Sequence, residues 1–295
     1  MKLDQLRDMV AIVEHGSLRA AARRLNIPQP ALTRSLRALE RDLGVPLFER
    51  GARGMTLTPM GQLFHQRASA VVHEIRRARD EIAQSTGENE GTVVAGLSIM
   101  PHVGLLPLAL PVFRRRYPKV RLQLIEGLFP DVESQLRSGS IDFYLGAAPT
   151  QPPAPGLISE VLFKNTRAVV GRKGHPLSAA RSLKALAKAE WATTSIDYDA
   201  EHDLNQLFVQ HKLPPPVVML QARSALSMMV GLAHTDLLAL LPVQWREFPI
   251  TRDALSVIPI RERLPAPSIV LIQRPDLPLT PAAEHLCDVM RRFAP

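Results

Sequence analysis

The 295-residue chain contains a single cysteine, Cys287. One thiol excludes an intramolecular disulfide, a two-cysteine redox switch and a multi-thiolate zinc site, and it suits a reducing cytoplasm. The apolar core of a signal peptide is also missing, because residues 1–8 are densely charged, so export is not expected. No Walker loop, dinucleotide glycine fingerprint, His-Glu-x-x-His or nucleophile elbow occurs, and the histidines are dispersed. These absences argue against an enzyme and against a bound cofactor or metal. Residues 91–113 lack Asp, Glu, Lys and Arg over a length that could span a bilayer. They also hold Pro101, Pro107, Pro111 and His102, which favour strand, turn and buried helix, so no membrane partner is expected. The acids Asp197, Asp199, Glu201 and Asp203, with His202, are read as helix-start charges rather than metal ligands.

What is present points to a polyanion. With 46% hydrophobic residues the chain can bury a substantial core, and its length suits about two domains. The 36 basic and 28 acidic residues give a net charge of +8. Residues 1–86 hold 14 of the basic and 9 of the acidic groups, so this short segment carries +5 of the excess. Thirteen of those 14 are arginines, whose planar fork matches phosphates and guanine edges. Nucleic acid is therefore the leading partner.

The amino-terminal segment has helical periodicity. Leu3, Leu6, Met9, Val10 and Val13 recur at helical spacing up to Gly16. Ser17 caps a second helix through Leu25, and a third runs from Gln29 to Gly44 with Pro30 in its first turn. Two short helices joined by a tight turn, the later one rich in arginine, form a helix-turn-helix candidate. Residues 45–58 read as a small hairpin, or wing, carrying Arg50 and Arg53. Thr58-Pro59 opens a long helix in which Phe64, Ala68, Val71, Ile75, Ala78 and Ile82 step by 4, 3, 4, 3, 4. That is coiled-coil spacing and implies a dimer; packing of this helix on its own domain is the competing reading.

Beyond a polar linker at residues 85–87 the period changes. Strands at 92–98, 120–125 and 142–147 alternate with helices, which implies a parallel sheet. A second α/β set follows the Pro-rich loop 151–156, with strands at 168–170, 191–193, 217–220 and 237–240. A late strand at 268–273 and a closing helix at 281–293 could return the chain to the first lobe, with Cys287 in its core. The fold class is thus α/β with an all-α leader.

Several segments together resemble the amino-terminal domain of LysR-type transcriptional regulators. They are Ala20-Ala21-Ala22-Arg23-Arg24-Leu25, Gln29-Pro30-Ala31-Leu32-Thr33-Arg34-Ser35-Leu36, Leu43-Gly44-Val45-Pro46-Leu47-Phe48-Glu49-Arg50 and Leu57-Thr58-Pro59-Met60-Gly61. The remainder is similar to that family's effector domain at Glu126-Gly127, Ile141-Asp142 and Leu240-Leu241-Pro242, and its last third faintly resembles regulators of aromatic sulfonate breakdown. The resemblance implies a winged helix-turn-helix over 1–58, a dimerisation helix over 59–86, and a two-lobed periplasmic-binding-protein-like effector domain over 87–295. Lobe I would take 91–163 with 268–295, and lobe II 164–267. It further implies a homotetramer built from dimers, RNA polymerase as a partner, and a small-molecule effector, read here as an organic anion; the rings of Phe129, Tyr198 and His102 would suit an aromatic carboxylate or sulfonate as one form of it.

Physical reasoning assigns Gln29 and Arg34 to base edges, with Pro30 and Thr33 beside them, and Arg37, Ser17, Arg19, Arg50 and Arg53 to phosphates or the minor groove. In open α/β lobes, ligands sit at strand ends facing a crevice. That rule selects Ser98, Met100, His102, Leu128, Phe129, Ala147, Ser195, Tyr198 and Ser224 for the effector. The alternative from another class is a solute-binding or enzymatic α/β domain with an unrelated helical leader.

Overall fold

A computed structural model describes residues 1–51, 54–194, 200–222, 224–246, 248, 251–264 and 266–295, with the backbone alone for Arg50 and Arg246. The expected site residues Arg53, Ser195 and Tyr198, and the side chain of Arg50, lie outside the described residues. The chain forms two compact units, one of residues 1–91 with 134–140 and one of 92–133 with 141–295.

In the first unit, helices α1 (Leu3–His15), α2 (Leu18–Leu25) and α3 (Gln29–Leu43) precede a hairpin of β1 (Phe48–Gly51) and β2 (Gly54–Leu57), then the long helix α4 (Pro59–Ser85). Gly16 ends α1 at φ 68°, a left-handed conformation that costs glycine nothing and lets the chain turn directly into the next helix. Ala21 and Ala22 are buried against Ala11, Ile12, Leu32 and Leu36, since small side chains let α2 approach its neighbours closely. At the end of α3 the Glu40 carboxylate accepts the backbone N–H groups of Leu47 (2.8 Å) and Phe48 (3.3 Å), which fixes where the hairpin begins. Thr58 Oγ accepts from Gly61 N at 2.9 Å and donates to the Pro46 carbonyl at 2.8 Å, joining the start of α4 to the same turn.

The apolar stripe on α4 divides, and this corrects the expected seam. Ala68 is 2% exposed in a cluster with Leu6, Met9, Val10, Leu39 and Leu47, and Phe64 packs against it. Those two residues belong to the unit's own core because α1 passes over that end of α4. Further along, Val71 (45% exposed), half-buried Ile75, exposed Ala78 and Ile82 (65%) continue the stripe with little of the chain over them. On another face of α4, buried His73 places Nδ1 3.3 Å from the Ser138 carbonyl, and Arg77 pairs with Glu74 at 2.7 Å.

The second unit contains two lobes that repeat one plan, the first on a five-stranded sheet and the second on a two-stranded and a three-stranded sheet linked by an isolated bridge. In the first, β3 (Thr92–Leu97), β4 (Arg121–Glu126), β5 (Phe143–Ala147), β12 (Ile269–Gln273) and β6 (Ile158–Phe163) lie in the order β4-β3-β5-β12-β6. Strands β4, β3 and β5 are parallel, whereas β12 is antiparallel to both β5 and β6. In the second, β8 (Glu190–Thr194) and β9 (Val217–Ala222) are parallel, and a bridge from Trp191 to Leu238 leads to β10 (Ala239–Pro242). Antiparallel β7 (Arg167–Arg172) and β11 (Leu255–Ile258) complete it. The expected all-parallel sheet therefore becomes a mixed one, because the chain passes between lobes and each crossing strand, β7 or β12, enters the other lobe reversed. Strands β6 and β11 were not anticipated at all. Helices α6 (Leu106–Arg116) and α10 (Pro281–Arg292) cover the first sheet through Ala109, Phe113, Leu286, Cys287 and Met290, all fully buried. The remaining helices are α5 (Ile99–Gly104), α7 (Phe129–Arg137), α8 (Ala200–Gln210) and α9 (Ala225–His234). Among the described residues no helix is long and apolar enough to cross a membrane.

Candidate functional site

Two arrangements carry chemistry, one in each unit. In the first, α3 buries Leu32, Leu36 and Leu39 and turns Gln29, Pro30, Arg34 and Arg37 to solvent. The separation follows from helical geometry, since residues three and four apart share a face. Thr33 Oγ donates back to the Gln29 carbonyl at 3.0 Å, so its hydroxyl hydrogen is committed to the helix. Ser17 Oγ accepts from Ala20 N at 3.2 Å as the cap of α2, and Arg19 is exposed beside it. The outer surface of the helix-turn-helix is thus a cationic strip with the amide side chain of Gln29 at the leading end of α3.

The second arrangement is a cavity of about 110 Å³ inside the second unit, between its two lobes. Four of the expected effector residues line it: Ser98, Met100, Leu128 and Ala147. Ser98 is 4% exposed, and its Oγ accepts from Ala147 N at 3.3 Å. The Tyr144 hydroxyl donates to the Ala147 carbonyl at 3.1 Å, and burial holds this phenol far above its ordinary pKa. Gly146 makes that arrangement possible, because a Cβ there would collide with the Tyr144 ring and lie 2.7 Å from Ser98 Cβ. Ser98 therefore belongs as much to the wall's own hydrogen bonding as to the space it faces.

Other expected effector residues stand outside this lining. The His102 ring nitrogen Nδ1 sits 3.0 Å from the Ser98 carbonyl, and Phe129 is 3% exposed, edge-on to Tyr144 with ring centroids 5.7 Å apart. Ser224 caps α9, accepting from Ser227 N at 3.2 Å. Residues passed over by sequence reasoning do line the cavity: Glu126, Asn165, Arg167, Thr193, Met228 and Leu240 among them. Glu126 Oε accepts the first amide of α9, Ala225 N, at 2.9 Å, linking the two lobes across the opening. Arg167 donates to Asp203 at 3.1 Å, Gln244 donates to Asn165 at 3.2 Å, and Thr193 Oγ is buried without a hydrogen-bond partner. Within the expected acidic cluster, Asp203 is thus an ion-pair partner, Glu201 accepts from Gln221 at 2.7 Å, and Asp197 and Asp199 lie outside the described residues.

Comparison with known proteins decides the family. Residues 3–62 match the bacterial regulatory helix-turn-helix of the lysR family, and residues 86–295 match the LysR substrate binding domain. The chain belongs to the LysR family of bacterial transcriptional regulators. Among curated LysR-type relatives, the regulator GalR of Pseudomonas putida is 28% identical over 291 residues, covering 98% of this chain and 73% of that protein. The SDS degradation transcriptional activation protein of a Pseudomonas species is 28% identical over 290 residues, covering 96% and 94%. The full-length CbnR structure superposes with a TM-score of 0.71 at 22% identity over the whole of both chains, and its complex with target DNA gives 0.69. The fold is that of a LysR regulator with a DNA-binding domain and an effector domain. The reading as an enzymatic domain with an unrelated leader is not favoured.

Proposed function

We propose that this LysR-type regulator reads its operator with the leading end of α3 and responds to a small organic anion held in the interlobe cavity. The observation carrying the first half is the division of α3, with a leucine face inside and Gln29, Pro30, Arg34 and Arg37 outside. Gln29, with one donor and one acceptor, suits a bidentate contact to adenine, and Arg34, with two parallel donors, suits one to guanine. Arg37, Arg19 and Ser17 are suited to phosphates, with Thr33 offering a methyl group to thymine. Arg50 and Arg53 are assigned to the wing's contact with DNA by charge alone.

Assembly follows from what the chain leaves uncovered. Val71, Ile75, Ala78 and Ile82 give α4 a dimerisation stripe. Val217 and Met219 on β9, with Leu226 and Val230 on α9, leave a second set of apolar side chains at least half exposed, which supports pairing of effector domains into a tetramer. RNA polymerase is the partner through which such a regulator acts, in the cytoplasm where both occur. For the effector, the apolar lining with a few polar groups suits a small amphipathic molecule. The relative named for SDS degradation is in keeping with an acid bearing an apolar body.

A mobility-shift assay with the DNA upstream of the protein's own coding region tests the reading. Retardation that a scrambled duplex cannot compete away is expected, and equal competition by the scrambled duplex would overturn it.

A further inference from the structure

We propose that Arg167 is the anion hook of the interlobe cavity and that Asp203 occupies it as a stand-in for the effector's acid group. The proposal rests on the cavity being the effector site and names the chemistry that decides what enters.

Arg167 forms a wall common to two spaces. One is the interlobe cavity; the other, of about 120 Å³, is lined by Asp203, Gln206, Gln210 and Leu264. Its guanidinium pairs directly with Asp203 at 3.1 Å in the wall of the second space, with the arginine side chain 14% exposed and the aspartate 39%. A guanidinium fork exchanges one carboxylate for another with little change in geometry. A ligand acid in the first cavity can therefore draw the same group over without moving β7. The neighbouring helix amide that could also hold an anion, Ala225 N at the start of α9, is already bonded to Glu126. The carboxylate of Glu126 also disfavours a second negative charge at that rim.

A further group on this wall asks for a ligand. Thr193 is 6% exposed, lines the cavity, and has no partner for its Oγ. A buried hydroxyl without a hydrogen bond costs stability, and a ligand oxygen would satisfy it. Met100, Leu128, Met228 and Leu241 supply the rest of the surface. The ligand class is thus a carboxylate or sulfonate on a compact apolar body, its acid directed at Arg167 and Thr193.

Matched probe pairs test this by thermal shift on the full-length protein: benzoate against benzamide, and hexanoate against hexanamide. The acids should raise the melting midpoint and the amides should not. Asp203→Asn should tighten acid binding several-fold and leave the amides unaffected, and the gain should vanish when Arg167→Gln is added. The double variant Arg167→Gln with Asp203→Asn keeps an uncharged pair for folding and should weaken acids by about tenfold or more. Thr193→Val should melt no lower than wild type without probe, yet bind acids more weakly. Retained affinity in the double variant, or a wild type that responds to no acid, overturns the proposal. Ala147→Trp, which fills the cavity from the opposite lobe, separates the two levels. Amide binding that this variant abolishes keeps the cavity and discards the hook; acid binding that survives both Ala147→Trp and the double variant discards the cavity as well.

Discussion

Replacing Val71 and Ile82 together by aspartate gives a sharp test of assembly, because the structure separates their role from the stability of the chain. Their side chains are 45% and 65% exposed, so about half of each remains to be buried by a partner helix. Full burial of a valine or isoleucine contributes roughly 1.5–3 kcal/mol, and half of that is about 1 kcal/mol per residue. A two-fold seam contains each residue twice, so the double variant removes roughly 4 kcal/mol from dimerisation, about a thousandfold in the dissociation constant. Bringing like charges together across the seam adds to the loss. The monomer should change by no more than roughly 0.5 kcal/mol, since neither residue joins the α1 cluster that holds Ala68 and Phe64. Sedimentation equilibrium gives the mass, and far-ultraviolet circular dichroism checks that helix content is retained. A folded variant with the wild-type mass would refute the assignment of this stripe to the dimer.

Three further outcomes are expected. Gln29→Ala or Arg34→Ala should relax discrimination by roughly 1–3 kcal/mol per base pair contacted, whereas Arg37→Ala should weaken specific and random duplexes alike, as competition binding can read. Gly146→Ala should destabilise the second unit by about 1–3 kcal/mol in urea unfolding, because the added methyl meets the Tyr144 ring and Ser98; a smaller side chain at position 144 should restore part of it. Burial, with Arg76 and Arg77 adding to it, pushes the His73 imidazole down from 6.5 to about 4. Between those values the unfolded chain binds a proton that the folded one does not, so stability should fall on acidification across this window, by up to roughly 3 kcal/mol. His73→Gln should flatten the pH profile there, and an unchanged slope would discount the imidazole.

The parts legible in the sequence were those governed by local chemistry. Pro30 near its start and Gly44 at its stop bounded α3, and Ser17 marked the start of α2, because caps and breakers act within a turn. The α4 stripe was visible as a period, but a period cannot say what covers it; α1 took Phe64 and Ala68, and only the three-dimensional packing showed that. The run from Ile269 to Ile272 announced a buried strand, yet its antiparallel direction depends on where the chain crosses between lobes. The cavity was half visible for the same reason. Ser98, Met100 and Leu128 follow strand ends and Ala147 closes a strand, positions that sequence can find. Arg167 and Thr193 matter through partners or spaces remote in sequence, as with Glu126 and Ala225, which lie 99 residues apart. No window of sequence contains such pairs.

Selection of a random duplex pool by the purified full-length protein addresses the DNA-reading role most directly. A dimer of helix-turn-helix units should enrich an inverted repeat with half-sites about 10 base pairs or a multiple of that apart. The preference at one position of each half-site should be lost with Gln29→Ala, and the same selection with Val71→Asp and Ile82→Asp together should enrich nothing. A pool that emerges from the wild type without any preferred sequence would contradict specific recognition by α3.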